Sequence, residues 1–333
     1  MRITAYGIKQ KAGKAEPFFY ERNVGDNEVG VKILYCAIAR GDTQFINNDW
    51  GDTKFPLVPG HEIVGIIEEI GSHVSTLKVG DRVGVGYQQE ACFECAFCKS
   101  GNEQFCAQQK VIGVHCFGGL AEHIVVDNRF AFKLPLTLHP AKSVPLLSSG
   151  LTVYSGIVRA ELPANSVVAV LGAGGLGHLA IQFLNKMGHK VYALSHSPGK
   201  KEMINQLGAE FILSSNSESL SALDRKFDFI ISTLNVDYDP DAFLKMLKPQ
   251  GKFCVVASPL TKQPISIGLL YDYAQRSIYG NYVGSRRNMS DMLDFSEKHN
   301  IESEVDIMPL HKVNEAIERV REGKVKIRLV LEN

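Results

Sequence analysis

Residues 167–188 read Val-Val-Ala-Val-Leu-Gly-Ala-Gly-Gly-Leu-Gly-His-Leu-Ala-Ile-Gln-Phe-Leu-Asn-Lys-Met-Gly. The first five form a continuous apolar run bounded by glycine, which suits a strand buried on both faces. From Leu176 to Gly188 the apolar residues recur at helical spacing. Between run and helix lies Gly172-x-Gly174-x-x-Gly177. A bare Gly-x-Gly-x-x-Gly is weak, but here it follows a strand and opens a helix, the context that a dinucleotide site requires. The first glycine makes the tight turn, the second lets backbone approach a pyrophosphate, and the third allows close packing of helix on strand. The helix start then offers free N–H groups and the positive end of its dipole.

The same alternation continues outward. Lys190–Leu194 reads as a second strand, 227–233 and 251–258 as further strands, and Lys200–Ala209 as a helix. Apolar strands alternating with helices predict a doubly wound parallel sheet, a Rossmann domain over 149–283. Residues 1–148 read differently. Short apolar runs (29–39, 61–71, 79–87, 121–127) alternate with Gly and Pro, so this part is β-rich. After about 284 come amphipathic helices, at 291–300 and 313–323, and a last strand at 326–332. The expected organisation is a β-rich domain made of 1–148 and 284–333, interrupted by the α/β domain.

The cofactor is read from the end of the second strand. An acidic residue there would bind the ribose 2′-hydroxyl of NAD and repel a 2′-phosphate. Here the segment runs Ser195-His196-Ser197-Pro198-Gly199-Lys200-Lys201 with no acid. Hydroxyls and cations suit a phosphate, so NADP(H) is expected. Cys92-x2-Cys95-x2-Cys98-x7-Cys106, within a lobe at about 90–108, gives four thiols in fifteen residues. Four thiolates can close a tetrahedral zinc site and leave no open position, so this metal is structural. The alternative of disulfides needs an oxidising compartment, and no export signal is visible.

The chain has 333 residues, 45% hydrophobic and 22% charged, with formal net charge zero. That balance offers no nucleic-acid surface or polybasic membrane patch. No run approaches the roughly 18 apolar residues that span a bilayer. A soluble, cytoplasmic protein is expected.

Together these motifs resemble the medium-chain dehydrogenase/reductase superfamily, closest to its cinnamyl alcohol dehydrogenase-like branch of NADP-dependent alcohol dehydrogenases and aldehyde reductases. Carrying residues include Pro59-Gly60-His61-Glu62-Ile63-Val64-Gly65, Val79-Gly80-Asp81-Arg82-Val83-Gly84, Gly118-Gly119, the Gly150–Tyr154 segment and Lys326-Ile327-Arg328. The resemblance implies a GroES-like domain and a Rossmann domain with the active site between them, and a homodimer joined near Ser277–Val283. It also implies dinucleotide contacts at Thr152, Gly172, Gly174, Gly175, Leu176, Gly177, Ser195, His196, Ser197, Lys200, Thr233, Ser258 and Arg328. Trp50, His115, Cys116, Phe117, Tyr271 and Tyr282 fall at pocket positions, although each also suits core packing.

The family's catalytic zinc is held by a Cys, a His and a second Cys, with a Glu beside the His. His61 and Glu62 match. Ala39 stands at the first cysteine, Gly41 at the proton-relay hydroxyl and Ser148 at the second cysteine. A methyl cannot bind metal and a neutral hydroxyl binds zinc poorly. The expectation is therefore one structural zinc and no tightly bound catalytic zinc. Hydride transfer to an aldehyde, ketone or activated C=C would then rely on Arg40, His61 and Ser148, with Tyr87 behind them. A salt bridge from Arg40 to Asp42 or Asp49 is the plain alternative for that cation. Two other readings stand beside this one: a zinc alcohol dehydrogenase recruiting Cys36, His115 or Cys116, and a non-catalytic NADP(H)-binding protein.

Overall fold

The computed structural model describes residues 1–215, 220, 222–257 and 259–333. The chain forms two compact units, Met1–Ser148 with Ser285–Asn333, and Ser149–Gly284.

In the first unit β1 (Arg2–Ile8) pairs with β2 (Ala15–Glu21). The main sheet is built on β3 (Glu28–Ile38), followed by β4 (Ile63–Ile70), β5 (Arg82–Val85), a small pair β6 (Gln88–Glu90) and β7 (Lys110–Val111), β8 (His123–Asp127) and β9 (Ala131–Lys133). β3 pairs antiparallel with both β4 and β8. Alternate β3 side chains, Val29, Val31, Ile33, go to 0–1% exposure in the core, the period-2 pattern of a sheet with one covered face.

The second unit holds β10 (Val167–Leu171), β11 (Lys190–Ser195), β12 (Ala209–Leu213), β13 (Phe227–Ser232), β14 (Leu247–Val255) and β15 (Ser277–Gly280). Their order is β12-β11-β10-β13-β14-β15, and every pairing is parallel. Val168, Ala169 and Val170 are wholly buried, as strands covered on both faces must be. The expected doubly wound sheet is present. Gly177 opens the helix Gly177–Lys186. A Cβ at Gly177 would stand 1.9 Å from the Gly172 carbonyl oxygen, so only glycine lets helix and strand approach this closely.

The chain then returns to the first unit through the helix Arg286–His299, β16 (Val305–Pro309), the helix Val313–Arg321 and β17 (Arg328–Glu332). β17 pairs antiparallel with β3, Leu329 opposite Ile38 and Leu331 opposite Cys36.

The helix Arg286–His299 starts five residues before the expected 291. Ser285 caps it by accepting from the Asn288 N–H, and Asn288 answers on the Ser285 N–H, a polar start that carries no apolar periodicity. The helix Ser149–Arg159 was not expected at all. Nine of its eleven residues are buried, and its two glycines and the β-branched Thr152, Val153, Ile157 and Val158 are weak helix formers, so propensity argues against a helix that packing imposes. No described helix is long and apolar enough to cross a membrane.

Candidate active site and metal lobe

Three strand ends meet at one edge of the first unit's sheet. β3 runs out into Ala39–Asp42, β4 begins just after Gly60-His61-Glu62, and β17 begins at Arg328. The antiparallel registers, Cys36 opposite Ile63 and Leu329 opposite Ile38, bring these ends together.

Asp42 is the third residue of the helix Arg40–Asn47, and Ala39 is its N-cap. The Asp42 carboxylate is 1% exposed. It accepts from the Ala39 N–H at 2.7 Å, the Gly60 N–H at 2.9 Å and His61 Nδ1 at 3.0 Å. Gly60 sits at φ +97°, and a Cβ there would fall 2.5 Å from Cys36 Sγ. Glycine alone permits the turn that aims its N–H at Asp42. Burial would raise the Asp42 pKa, but His61, Ala39 and Gly60 outweigh it and the group lies below its usual range. Burial would likewise lower the His61 pKa, while the charge and hydrogen bond of Asp42, helped by Glu62 and opposed by Arg328, raise it. With Nδ1–H held by the carboxylate, Nε2 is the atom left for chemistry. The Tyr87 ring stands edge-on to the imidazole at 5.6 Å. A Cβ on Gly41 would be 3.8 Å from His61 Cε1.

Glu62, also 1% exposed, accepts from Arg328 Nη2 at 2.8 Å, and Arg328 is 7% exposed. This buried pair joins the start of β17 to the start of β4. Arg328, a residue of the first unit, is thus held by Glu62 through Nη2. Arg40 is exposed and has no ion pair among the described residues. The alternative of a bridge to Asp42 is corrected, because His61 and two backbone N–H groups occupy that carboxylate; Asp49 has no ion pair with Arg40 either. Ser148 is 8% exposed and closes the short helix Val144–Leu147. The sequence reading missed Asp42 as the partner of His61. The signal was an Asp three residues after Ala39, at the third position of a helix whose N-cap side chain is a methyl.

In the second unit Gly172, Gly174, Gly175 and Leu176 form the turn between β10 and its helix. Gly174 has nothing within 4 Å of a Cβ position. Lys200 reaches back to this turn and donates to the Ala173 carbonyl at 3.0 Å. Burial lowers the Lys200 pKa. Ser195 Oγ accepts from the Ser197 N–H, and His196 is exposed. Thr233 Oγ1 donates to Leu171 O at 2.8 Å. The Thr152 carbonyl accepts from Ser155 and Asn281. Ser258 lies outside the described residues.

The four lobe cysteines do converge. Their sulfurs lie within 4.8 Å of one another, with Cys92 Sγ 3.8 Å from Cys98 Sγ and 3.5 Å from Cys106 Sγ. A tetrahedron with Zn–S of about 2.3 Å has edges of about 3.8 Å, so the donor set fits zinc. The N–H groups of Glu94 and Cys95 point at Cys92 Sγ and lower its thiol to about 6. All seven thiols are free of disulfides. The lobe is pinned through Phe93, whose ring carries the Arg129 guanidinium at 3.4 Å and that of Arg286 at 5.4 Å. Arg286 also pairs with buried Glu103 at 3.3 Å.

Of the other expected pocket residues, His115, Cys116 and Phe117 line a cavity of the first unit. Trp50, Tyr271 and Tyr282 are 48%, 72% and 61% exposed.

Arg328→Met removes the cation facing Glu62 and should lower unfolding free energy by about 3–5 kcal/mol, read from denaturant midpoints. Glu62→Gln combined with Arg328→Met should recover part of that loss. A double variant no more stable than the single one would mean that the pair is not the cause.

Comparison with known proteins agrees with this architecture. Residues 25–136 match the alcohol dehydrogenase GroES-like domain and 175–298 the zinc-binding dehydrogenase domain. An aldehyde reductase of Synechocystis sp. is 38% identical over 332 residues, covering 99% of this chain and 98% of that protein. Among solved structures, a cinnamyl alcohol dehydrogenase of Sorghum bicolor superposes with TM-score 0.95 at 32% identity, over 100% of this chain and 98% of that one. The Helicobacter pylori cinnamyl alcohol dehydrogenase complexed with NADP(H) gives 0.93 at 30% identity, with the same coverages. The chain belongs to the alcohol dehydrogenase family built from a GroES-like domain and a zinc-binding dehydrogenase domain, and it is an alcohol dehydrogenase-like oxidoreductase.

Proposed function

We propose that this enzyme uses NADP(H) to reduce an aldehyde, ketone or activated C=C bond of a small molecule, or to oxidise the matching alcohol, without a tightly bound catalytic zinc. The observation that carries the proposal is the buried Asp42–His61 pair beside Ala39 and Gly41.

For the dinucleotide the residues fit. Gly177 permits the close turn, Gly174 leaves open space, and Lys200 lies at that turn as a cation. Ser195 ends β11 and His196 and Ser197 follow it, with no carboxylate among them, which suits a 2′-phosphate. When bound, NADP(H) supplies or accepts the hydride. The aldehyde reductase relative and the NADP(H)-complexed structural neighbour support this assignment.

For a catalytic zinc the donor set does not fit. Ala39 offers a methyl and Ser148 a neutral hydroxyl, while the Glu62 carboxylate is paired with Arg328. The proton must then be handled by the protein. In carbonyl reduction His61, protonated on both nitrogens, gives the Nε2 proton to the oxygen that becomes the alcohol. Asp42 keeps Nδ1–H and stabilises the imidazolium before transfer. Arg40 and Ser148 are the further groups assigned to the oxygen, as a cation and a hydroxyl donor.

Metal counting on the purified protein should give one zinc per chain, lost in Cys92→Ser and retained in His61→Ala. A second zinc that disappears with His61→Ala would establish substitute ligands instead. The pH profile tests the proton role. The folded His61 pKa is raised, so the protonated form persists above the ordinary value of about 6.5. The kcat/KM for carbonyl reduction should therefore hold past pH 6.5 and fall as pH rises through the shifted value. Asp42→Asn should move that fall to lower pH, and His61→Ala should cost about 100-fold. An unmoved profile in Asp42→Asn removes the role, and no NADPH oxidation with any aldehyde, ketone or enone would leave a binding protein.

The edge strand β15 supports a homodimer. It ends the six-stranded sheet with Ser277 and Gly280 exposed, and an open edge is covered most simply by the same edge of a second copy. Light scattering should report about twice 36.7 kDa; a monomer mass overturns this.

A further inference from the structure

The three glycines of the dinucleotide turn leave His178 unexplained. It follows Gly177 in the first turn of the helix Gly177–Lys186 and is 1% exposed. A buried imidazole costs free energy unless it is hydrogen-bonded. Its Nδ1 lies 3.0 Å from the Gly174 carbonyl oxygen. A carbonyl oxygen only accepts, so Nδ1 carries a hydrogen and donates it. The backbone N–H of His178 donates to the same oxygen, also at 3.0 Å. One residue thus supplies a donor for each of the two lone pairs of that carbonyl.

This double tie fixes the next group along the chain. In a trans peptide the C=O of one residue and the N–H of the next lie in one plane and point opposite ways. Gly174 O is drawn along the helix toward His178, so the Gly175 N–H points out of the helix start. Gly175 is partly exposed, and among the described residues its N–H meets no protein acceptor. It is a donor left for the pyrophosphate of the dinucleotide.

Glycine on both sides makes this peptide the one that most needs holding. Gly174 and Gly175 lack the Cβ that restricts φ and ψ, and glycine loses more freedom on ordering than any other residue. Open space surrounds the Cβ position of Gly174, so packing on that side does not hold the peptide. The preceding carbonyl, Ala173, is tied by Lys200 Nζ at 3.0 Å, and the peptide between Gly174 and Gly175 falls to His178.

We propose that His178 is a positioning residue for the dinucleotide: its Nδ1–H clamps the Gly174 carbonyl and so aims the Gly175 N–H at the pyrophosphate before the ligand arrives. The inference rests on the dinucleotide reading of this turn and adds a residue outside its three glycines. The gain is preorganisation, since a loop already held in its bound form has less freedom to lose on binding.

The test is NADPH binding to the full chain, read by nicotinamide fluorescence, with adenosine 2′-monophosphate as a second probe. That fragment keeps the 2′-phosphate assigned to Ser195–Lys200 and lacks the pyrophosphate. His178→Leu removes the clamp and should weaken NADPH about ten-fold, the worth of one hydrogen bond, while the affinity of the fragment stays unchanged. His178→Asn places an amide nitrogen where Nδ1 stood and should recover most of the loss. Equal NADPH binding by the unaltered protein and His178→Leu overturns the clamp alone. So does an equal loss for both probes, which marks a general disturbance of the domain. No NADPH binding by the unaltered protein overturns the dinucleotide reading and the clamp with it. Should His178→Leu fail to fold, NMR of the nitrogen-labelled unaltered protein decides: a proton on His178 Nδ1 supports the clamp, and a bare Nδ1 overturns it.

Discussion

The Asp42 carboxylate holds the candidate site's edge of the sheet together. It is buried as an anion, which is costly unless the charge is met by donors. Three N–H groups meet it, from Ala39, Gly60 and His61. One belongs to the start of a helix, one to a turn that only glycine can make, and one to the imidazole. A single side chain therefore fixes where β3 ends, where β4 begins and which nitrogen of His61 is available. Its place in the first helical turn adds the favourable end of the dipole.

Around that carboxylate the sheet does the long-range work. Glu62 and Arg328 are 266 residues apart in sequence, yet β3 pairs with both β4 and β17, so the two side chains meet at 2.8 Å. The pairing needs the chain to leave the first unit at Ser148 and return at Ser285. The final strand is thus a structural member of the site's sheet, and the helix start at Arg286 also braces the cysteine lobe through Phe93 and Glu103.

What was legible in the sequence was what depends on short spacing. The turn from Gly172 to Gly177 and the cysteines at 92–106 are set by residues within a few positions, and both folded as their spacing suggests. The parallel sheet was legible because its strands are uniformly apolar. Partners brought together by topology were not legible. Nothing local pairs Glu62 with Arg328, and nothing local sends Lys200 back to the Ala173 carbonyl. The helix Ser149–Arg159 was hidden because its glycines and β-branched residues are weak helix formers, and packing overrides that propensity. Asp42 sat in plain view beside Arg40, and the shorter separation suggested the wrong partner. The helix left Arg40 exposed and buried Asp42.

Charge counting links this geometry to the proposed chemistry. Asp42 and Glu62 are anions and Arg328 is a cation, so with His61 neutral the buried cluster carries one net negative charge. Such a cluster favours one further positive charge at His61, whose pKa it raises. A divalent metal could supply it only with more donors than a methyl at 39 and a hydroxyl at 148 provide. A proton needs a single nitrogen, and Asp42 already holds that ring in the tautomer that presents Nε2. The same carboxylate–imidazole pair that would orient a metal ligand equally well readies an imidazolium to give up a proton. The residues beside it therefore decide which of the two roles it plays, and a methyl at 39 with a neutral hydroxyl at 148 favours the proposed proton donor over a metal ligand.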